Sequence, residues 1–187
     1  MQHKENSQIN RLRNNLLHVS RIHFLYVLVF AIQIVFYDAW HLITLESVMQ
    51  RWIATACLLI VTTLVWYLSK NRIRNLNTYK YLTWALILAD IAMASFSVYA
   101  QRGMASRAVL LFSIPILVSA ILLSRSALLA TATFSIAVYV VTAVMYFVIH
   151  FNEGYKIELY GEVGFYCAIF LILASLLWII IKSKKNT

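Results

Sequence analysis

Residues 108–149 read AVLLFSIPILVSAILL, then Ser124-Arg125-Ser126, then ALLATATFSIAVYVVTAVMYFVI. Neither apolar run contains a charged residue, and three polar residues separate them. A helix that crosses a bilayer needs about 20 mostly apolar residues. Inside lipid every backbone N–H and C=O must find its partner within the protein, which restricts such runs to helices or closed barrels. The stretch therefore reads as two consecutive helical spans joined by a tight turn. Working outward, four more runs of the same kind appear at 162–181, 81–100, 52–69 and 22–40. The fourth span, 108–123, is the shortest and is expected to draw on its polar flanks. The expected fold is an all-α integral membrane protein, a bundle of six transmembrane helices. Six spans and short loops occupy nearly all 187 residues, so no separate soluble domain is expected.

Composition agrees. The chain is 62% hydrophobic and 12% charged, whereas soluble domains are roughly half apolar and about a quarter charged. The net charge of +9 lies in clusters beside the apolar runs, as in proteins whose basic loops fix their orientation; no basic face with interleaved aromatics points to nucleic acid. Alternate segments hold Lys4, Arg11, Arg13 and Arg21; Lys70, Arg72, Arg74 and Lys80; Arg125; and Lys182, Lys184 and Lys185. The opposite loops hold only Arg51, Arg102, Arg107 and Lys156. This asymmetry predicts a multi-pass protein of the bacterial cell membrane with both termini cytoplasmic, the lipid bilayer being its first partner. Within the segment 1–21, Ile9, Leu12, Leu16 and Ser20 share one helical face and Arg11, Arg13 and Asn14 lie largely elsewhere. That pattern predicts a short interfacial helix ahead of span one, and residues 182–187 form a basic cytoplasmic tail. Cys57 and Cys167 lie inside apolar runs and read as small buried hydrophobes.

Asp90 is the most informative residue, a carboxylate at the middle of span three. Placing one there costs about 2.5–3.5 kcal/mol on insertion scales, a cost met when the group is protonated, paired or facing a polar cavity. Asp90, Ala94, Ser97 and Gln101 share one helical stripe, and Gln33 in span one is polar at similar depth, a candidate hydrogen-bond partner. Asp90, Gln33, Ser97 and Gln101 are thus the candidates for a ligand site or a polar core; an interhelical hydrogen bond that fixes packing is the alternative reading. Ala127, Thr131 and Ser135 form a small-residue face on span five suited to close helix packing. Pro115 lies within span four, where a kink is expected, with Ser113 placed to satisfy a freed carbonyl. The histidines lack the spacing of a metal or haem pair. No zinc-protease, phosphotransfer or phosphate-loop motif occurs, so no catalytic residue, cofactor or metal is expected.

Residues 89–132, ADIAMASFSVYAQRGMASRAVLLFSIPILVSAILLSRSALLATA, resemble the six-span membrane sensor module at the front of bacterial histidine kinases of the type that regulates pilus genes. In that family an Asp in span three is followed by a tyrosine, a short glycine-containing outer loop ending near a serine, and an apolar helix; a tight basic turn and an alanine-rich fifth span come next. Asp90, Tyr99, Gly103, Ser106, Arg125 and Ala127 occupy those places. The loop departs from the family's pattern, GMASR at 103–107 placing Arg107 where a proline is common. No phosphoacceptor histidine or ATP-binding box follows span six, so the resemblance implies a sensor module without its transmitter. The expected function is a membrane-embedded sensory module that perceives a lipid, an apolar ligand or a membrane state, acting as a homodimer or through a separate signalling partner. A small transport subunit, of the kind that binds substrate in vitamin transporters, and a structural subunit of a membrane complex are the alternatives.

Overall fold

The computed structural model describes residues 2–71, 73, 75–101, 103, 106–122, 124–150 and 157–186, the side chains of 2–6, 157–159 and 184–186 excepted. Among these the chain is helical and contains no strand. The α-helices are α1 (Gln2–Ala39), α2 (Leu45–Lys70), α3 (Leu76–Ala100), α4 (Ser113–Leu122), α5 (Arg125–Ile149) and α6 (Ile157–Asn186), with a 3-10 segment, Arg107–Phe112, leading into α4. Five of the α-helices are long and apolar enough to cross a membrane; Arg107–Leu122 is a shorter apolar sixth. The helices overrun the apolar runs because helix continues into the polar interface, while hydropathy marks only the hydrocarbon portion. The chain divides into two compact units, Met1–Ala89 and Asp90–Thr187, and the division falls inside α3.

In the first unit α1 and α2 form an antiparallel hairpin. Buried residues on α2 are Val48, Arg51, Thr55, Leu58, Thr62, Val65 and Ser69, spaced alternately three and four apart. On α1, Leu16, Ser20, His23, Val27, Phe30 and Ile34 repeat the same spacing. Two seams of this period are those along which helices pack in a coiled coil. Lipid tails are as apolar as these side chains, so close contact and not water exclusion holds such helices together. Thr55, Thr62 and Ser69, small and seven apart, let the α1 backbone come near. The register is pinned by Phe24 against Trp66 and by the Arg51 guanidinium over the Tyr37 ring. Thr44 caps α2, its hydroxyl accepting from the Ser47 N–H. At the other end Tyr79 donates its hydroxyl to the Asn71 carbonyl and accepts from the Ile73 N–H, closing the turn into α3.

The N-terminal amphipathic stretch is helical but is not set off as a separate element: α1 runs unbroken from Gln2. Of the residues expected on one face, Ile9, Leu16 and Ser20 are buried inside the protein and Leu12 is half-buried; of those expected elsewhere, Arg11 and Asn14 are exposed and Arg13 is half-buried.

In the second unit the end of α3 lies beside α5. Ser95 and Thr142 share a hydroxyl hydrogen bond at 2.7 Å, and Tyr99 meets Tyr146 edge to face four residues further along both helices. The two helices therefore run parallel here. Arg125 lies over Trp178 and Tyr139 meets Tyr166 and Phe170, so α5 and α6 run antiparallel. Gly103 holds φ at +62°, and a Cβ there would stand 2.9 Å from the Tyr146 Cβ. Only glycine fits that turn.

The fourth span departs from expectation in form. In place of one kinked α-helix, it is a 3-10 segment followed by ten residues of α-helix, and Pro115 is the third residue of α4. Proline lacks an N–H and its ring crowds the carbonyl four residues back, that of Leu111, so α geometry is blocked just ahead of it and tolerated after it. The Ser113 hydroxyl donates to the Leu110 carbonyl, and not to the Leu111 carbonyl that the proline frees. The 3-10 form rises about 2.0 Å per residue and the α form about 1.5 Å. The 16-residue span thereby reaches about 27 Å instead of about 24 Å, nearer the roughly 30 Å hydrocarbon layer.

Candidate functional site

The site is built on α3, the most enclosed of the five long spans. Half of its apolar window is buried, against 11% for α6. Asp90 is wholly inaccessible, as is Ala94 one turn later, and Ser97 is nearly so. The structure thus brings three of the four residues of the expected stripe onto one buried face, with Gln101 half-buried at its end. Their roles differ. The Ser97 hydroxyl donates to its own helix at the Met93 carbonyl, 2.8 Å away. Gln101 accepts from Ser106 at 3.4 Å, and Ser106 in turn caps the 3-10 segment through the Ala108 N–H. Two members of the stripe therefore serve local structure, leaving Asp90 as its chemical centre.

Gln33 lies in the first unit and Asp90 in the second. The Gln33 amide donates to the Tyr37 hydroxyl one turn away at 2.9 Å, and the Tyr37 ring carries the Arg51 guanidinium at 5.4 Å. Amide, phenol and guanidinium form one polar chain across the α1–α2 hairpin.

A model of the PilS-like transmembrane domain matches residues 2–185. The chain belongs to the PilS-like transmembrane domain family. The match extends the likeness seen over residues 89–132 to almost the entire length and makes Arg107–Leu122 the fourth of six spans. No curated protein and no solved structure matches the chain.

In this PilS-like domain, α5 supplies the second group of singled-out residues. Thr131 and Ser135 are fully buried, and Ala127 is half-buried. Sequence reasoning stopped there, one turn short of Tyr139. That residue is also fully buried, ringed by Phe112, Tyr166 and Phe170. The spacing of four that links 127, 131 and 135 continues to 139 and was the available signal. Arg51 was likewise missed, counted only as a loop charge just outside the expected span 52–69. The structure puts it on the buried seam of α2 with 9% of its surface exposed, in phase with Leu58 and Val65. Among the described residues no three His, Cys, Asp or Glu side chains cluster as a metal would require. His23 and His150 each place Nδ1 at 3.0 Å from the carbonyl one turn back.

Proposed function

We propose that this PilS-like domain is the sensory part of a two-component signalling system and that Asp90 lies at its responsive centre. The observation that carries the reading is the complete burial of a carboxyl group on the most enclosed of the five long spans. A single interhelical hydrogen bond inside a membrane protein contributes on average about 0.6 kcal/mol. The insertion cost of a mid-span Asp is about 2.5–3.5 kcal/mol, so packing alone is a weak reason to keep the group. A site whose polarity matters to a state change is a better one.

In this reading the stimulus is a lipid, an apolar ligand or a condition of the bilayer, since Asp90 lies at the middle of a membrane span and is buried within the protein. Both termini lie in the cytoplasm, the basic face of residues 2–21 meets anionic lipid headgroups, and α6 with its basic tail carries the response to a transmitter or to another subunit. The weak enclosure of α6 supports its role as the output element, because a loosely packed helix can shift at small cost. The test compares cells carrying the wild-type chain and Asp90→Asn at equal membrane abundance. A sensor changes transcription of a defined gene set when the carboxylate is lost. Equal transcript profiles would sink the reading.

A further inference from the structure

At the turn from α4 into α5 stands a cation without a counter-charge in its own unit. Arg125, the first residue of α5, is half-buried, and its guanidinium lies 5.7 Å from the centre of the half-buried Trp178 ring on α6. Lys182 is one turn beyond Trp178 on the same face of α6 and is exposed. Lys184 and Lys185 follow it in the sequence. The acids of this unit are Asp90, Glu153, Glu158 and Glu162. Ser95 beside Thr142 and Tyr99 beside Tyr146 set the register of α3 against α5. Asp90 is thereby level with Ala137, about 18 Å along the axis from Arg125. Glu162 is about 24 Å along α6 from Trp178, and Glu158 is farther. Glu153 stands in the sequence between the far end of α5 and the start of α6. Among the described residues of this unit, no carboxylate is therefore near Arg125.

A charge half-withdrawn from water is costly unless it is paired. Basic residues that only fix orientation need no set geometry, whereas Arg125 has one. The attraction of the ring acts on the whole cation, and the planar fork of N–H groups matches the oxygens of a phosphate. Held over Trp178 in advance, the guanidinium loses less freedom when an anion arrives. The surface next to it is apolar. One turn into the span from Arg125, Leu129 is exposed; on α6, Ser175 and Leu171, one and two turns in from Trp178, are exposed as well. The Ser175 hydroxyl closes on the Leu171 carbonyl at 2.8 Å, so its donor is satisfied within the helix.

We propose that Arg125, Trp178 and Lys182 seat the phosphate of an anionic phospholipid, its acyl chains lying on the apolar surface of α5 and α6 beside them. A soluble phosphate would meet the two cations alone; a phospholipid meets the cations and the apolar surface together. Basic sites between membrane helices take anionic headgroups in this way. The site is separate from Asp90 and from the N-terminal basic face. It is independent of the sensory reading, and its test measures lipid binding and not signalling.

The test follows thermal unfolding of the full chain in dodecyl maltoside micelles as phosphatidylglycerol or phosphatidylcholine is added. A ligand of the folded state raises Tm by an amount set by its concentration relative to Kd, so the rise yields the affinity. Phosphatidylglycerol should raise Tm, and phosphatidylcholine should not. Arg125→Gln should weaken the apparent Kd about tenfold. Trp178→Leu keeps every charge and should weaken it about threefold. Arg107→Gln removes the same charge from an exposed residue at the far end of the fourth span and should leave the Kd unchanged. Each variant is read by its own lipid-dependent rise, so a change in its starting Tm does not enter. No rise with phosphatidylglycerol overturns the proposal. Equal weakening by Arg125→Gln and Arg107→Gln means diffuse attraction and overturns it too, as does an equal rise with inorganic phosphate.

Discussion

At the scale of single residues, two positions are constrained for opposite reasons. Asp90 is held by its environment at a depth where few side chains of its kind occur. Gly103 is held by the lack of a side chain, since its positive φ and the Tyr146 Cβ behind it leave no room for one. Gly103→Ala should destabilise the protein by about 1–3 kcal/mol, seen as a lower midpoint in denaturant or thermal unfolding. A variant as stable as wild type would show that the turn can relax. Asp90 was legible from sequence because no other charge lies so deep in an apolar run. Tyr139 was not, because an aromatic residue in a span is equally at home against lipid, and only three-dimensional placement reveals that its hydroxyl is enclosed.

At the scale of elements, the fourth span is the most instructive. Hydropathy located it to within a residue, and Pro115 announced an irregularity. Neither could specify the form, because α and 3-10 geometry bury the same side chains and differ in which carbonyl each N–H meets. Pro115→Ala restores the missing donor and removes the clash, so the segment should revert toward α-helix. Spin labels at Arg107 and Ser124 should then stand about 3 Å closer, from the difference in rise per residue. An unchanged distance would mean that the surrounding helices, and not the proline, impose the 3-10 form. The α1–α2 hairpin gives the complementary lesson. The seven-residue repeat of Thr55, Thr62 and Ser69 was present in the sequence, yet the boundary drawn at residue 52 separated Arg51 from the seam it belongs to. Likewise Ile9, Leu12, Leu16 and Ser20 were assigned to one face; what covers Ile9, Leu16 and Ser20 is protein, a matter that the period of a helix cannot decide.

At the scale of the whole molecule, helix count and span positions follow from the apolar runs, and the family match over residues 2–185 supports six of them. Direction across the membrane rests on twelve basic residues in one set of segments against four in the other. It can be tested in a background of Cys57→Ala and Cys167→Ala. Glu46→Cys, exposed at the start of α2, should react with an impermeant thiol reagent in intact cells, and Asn71→Cys, exposed after α2, should react only after lysis. The reverse pattern would invert the orientation.

The stretched fourth span has a consequence for the lipid around it. At about 27 Å it still falls short of an average hydrocarbon layer of about 30 Å, while its neighbours are long enough to tilt. The annulus beside this span must therefore compress, at a modest cost per ångström of mismatch. Bilayers of shorter acyl chains relieve that deformation. The protein should accordingly unfold at higher temperature in lipids a few ångströms thinner than average, and Pro115→Ala, with its shorter span, should sharpen the preference.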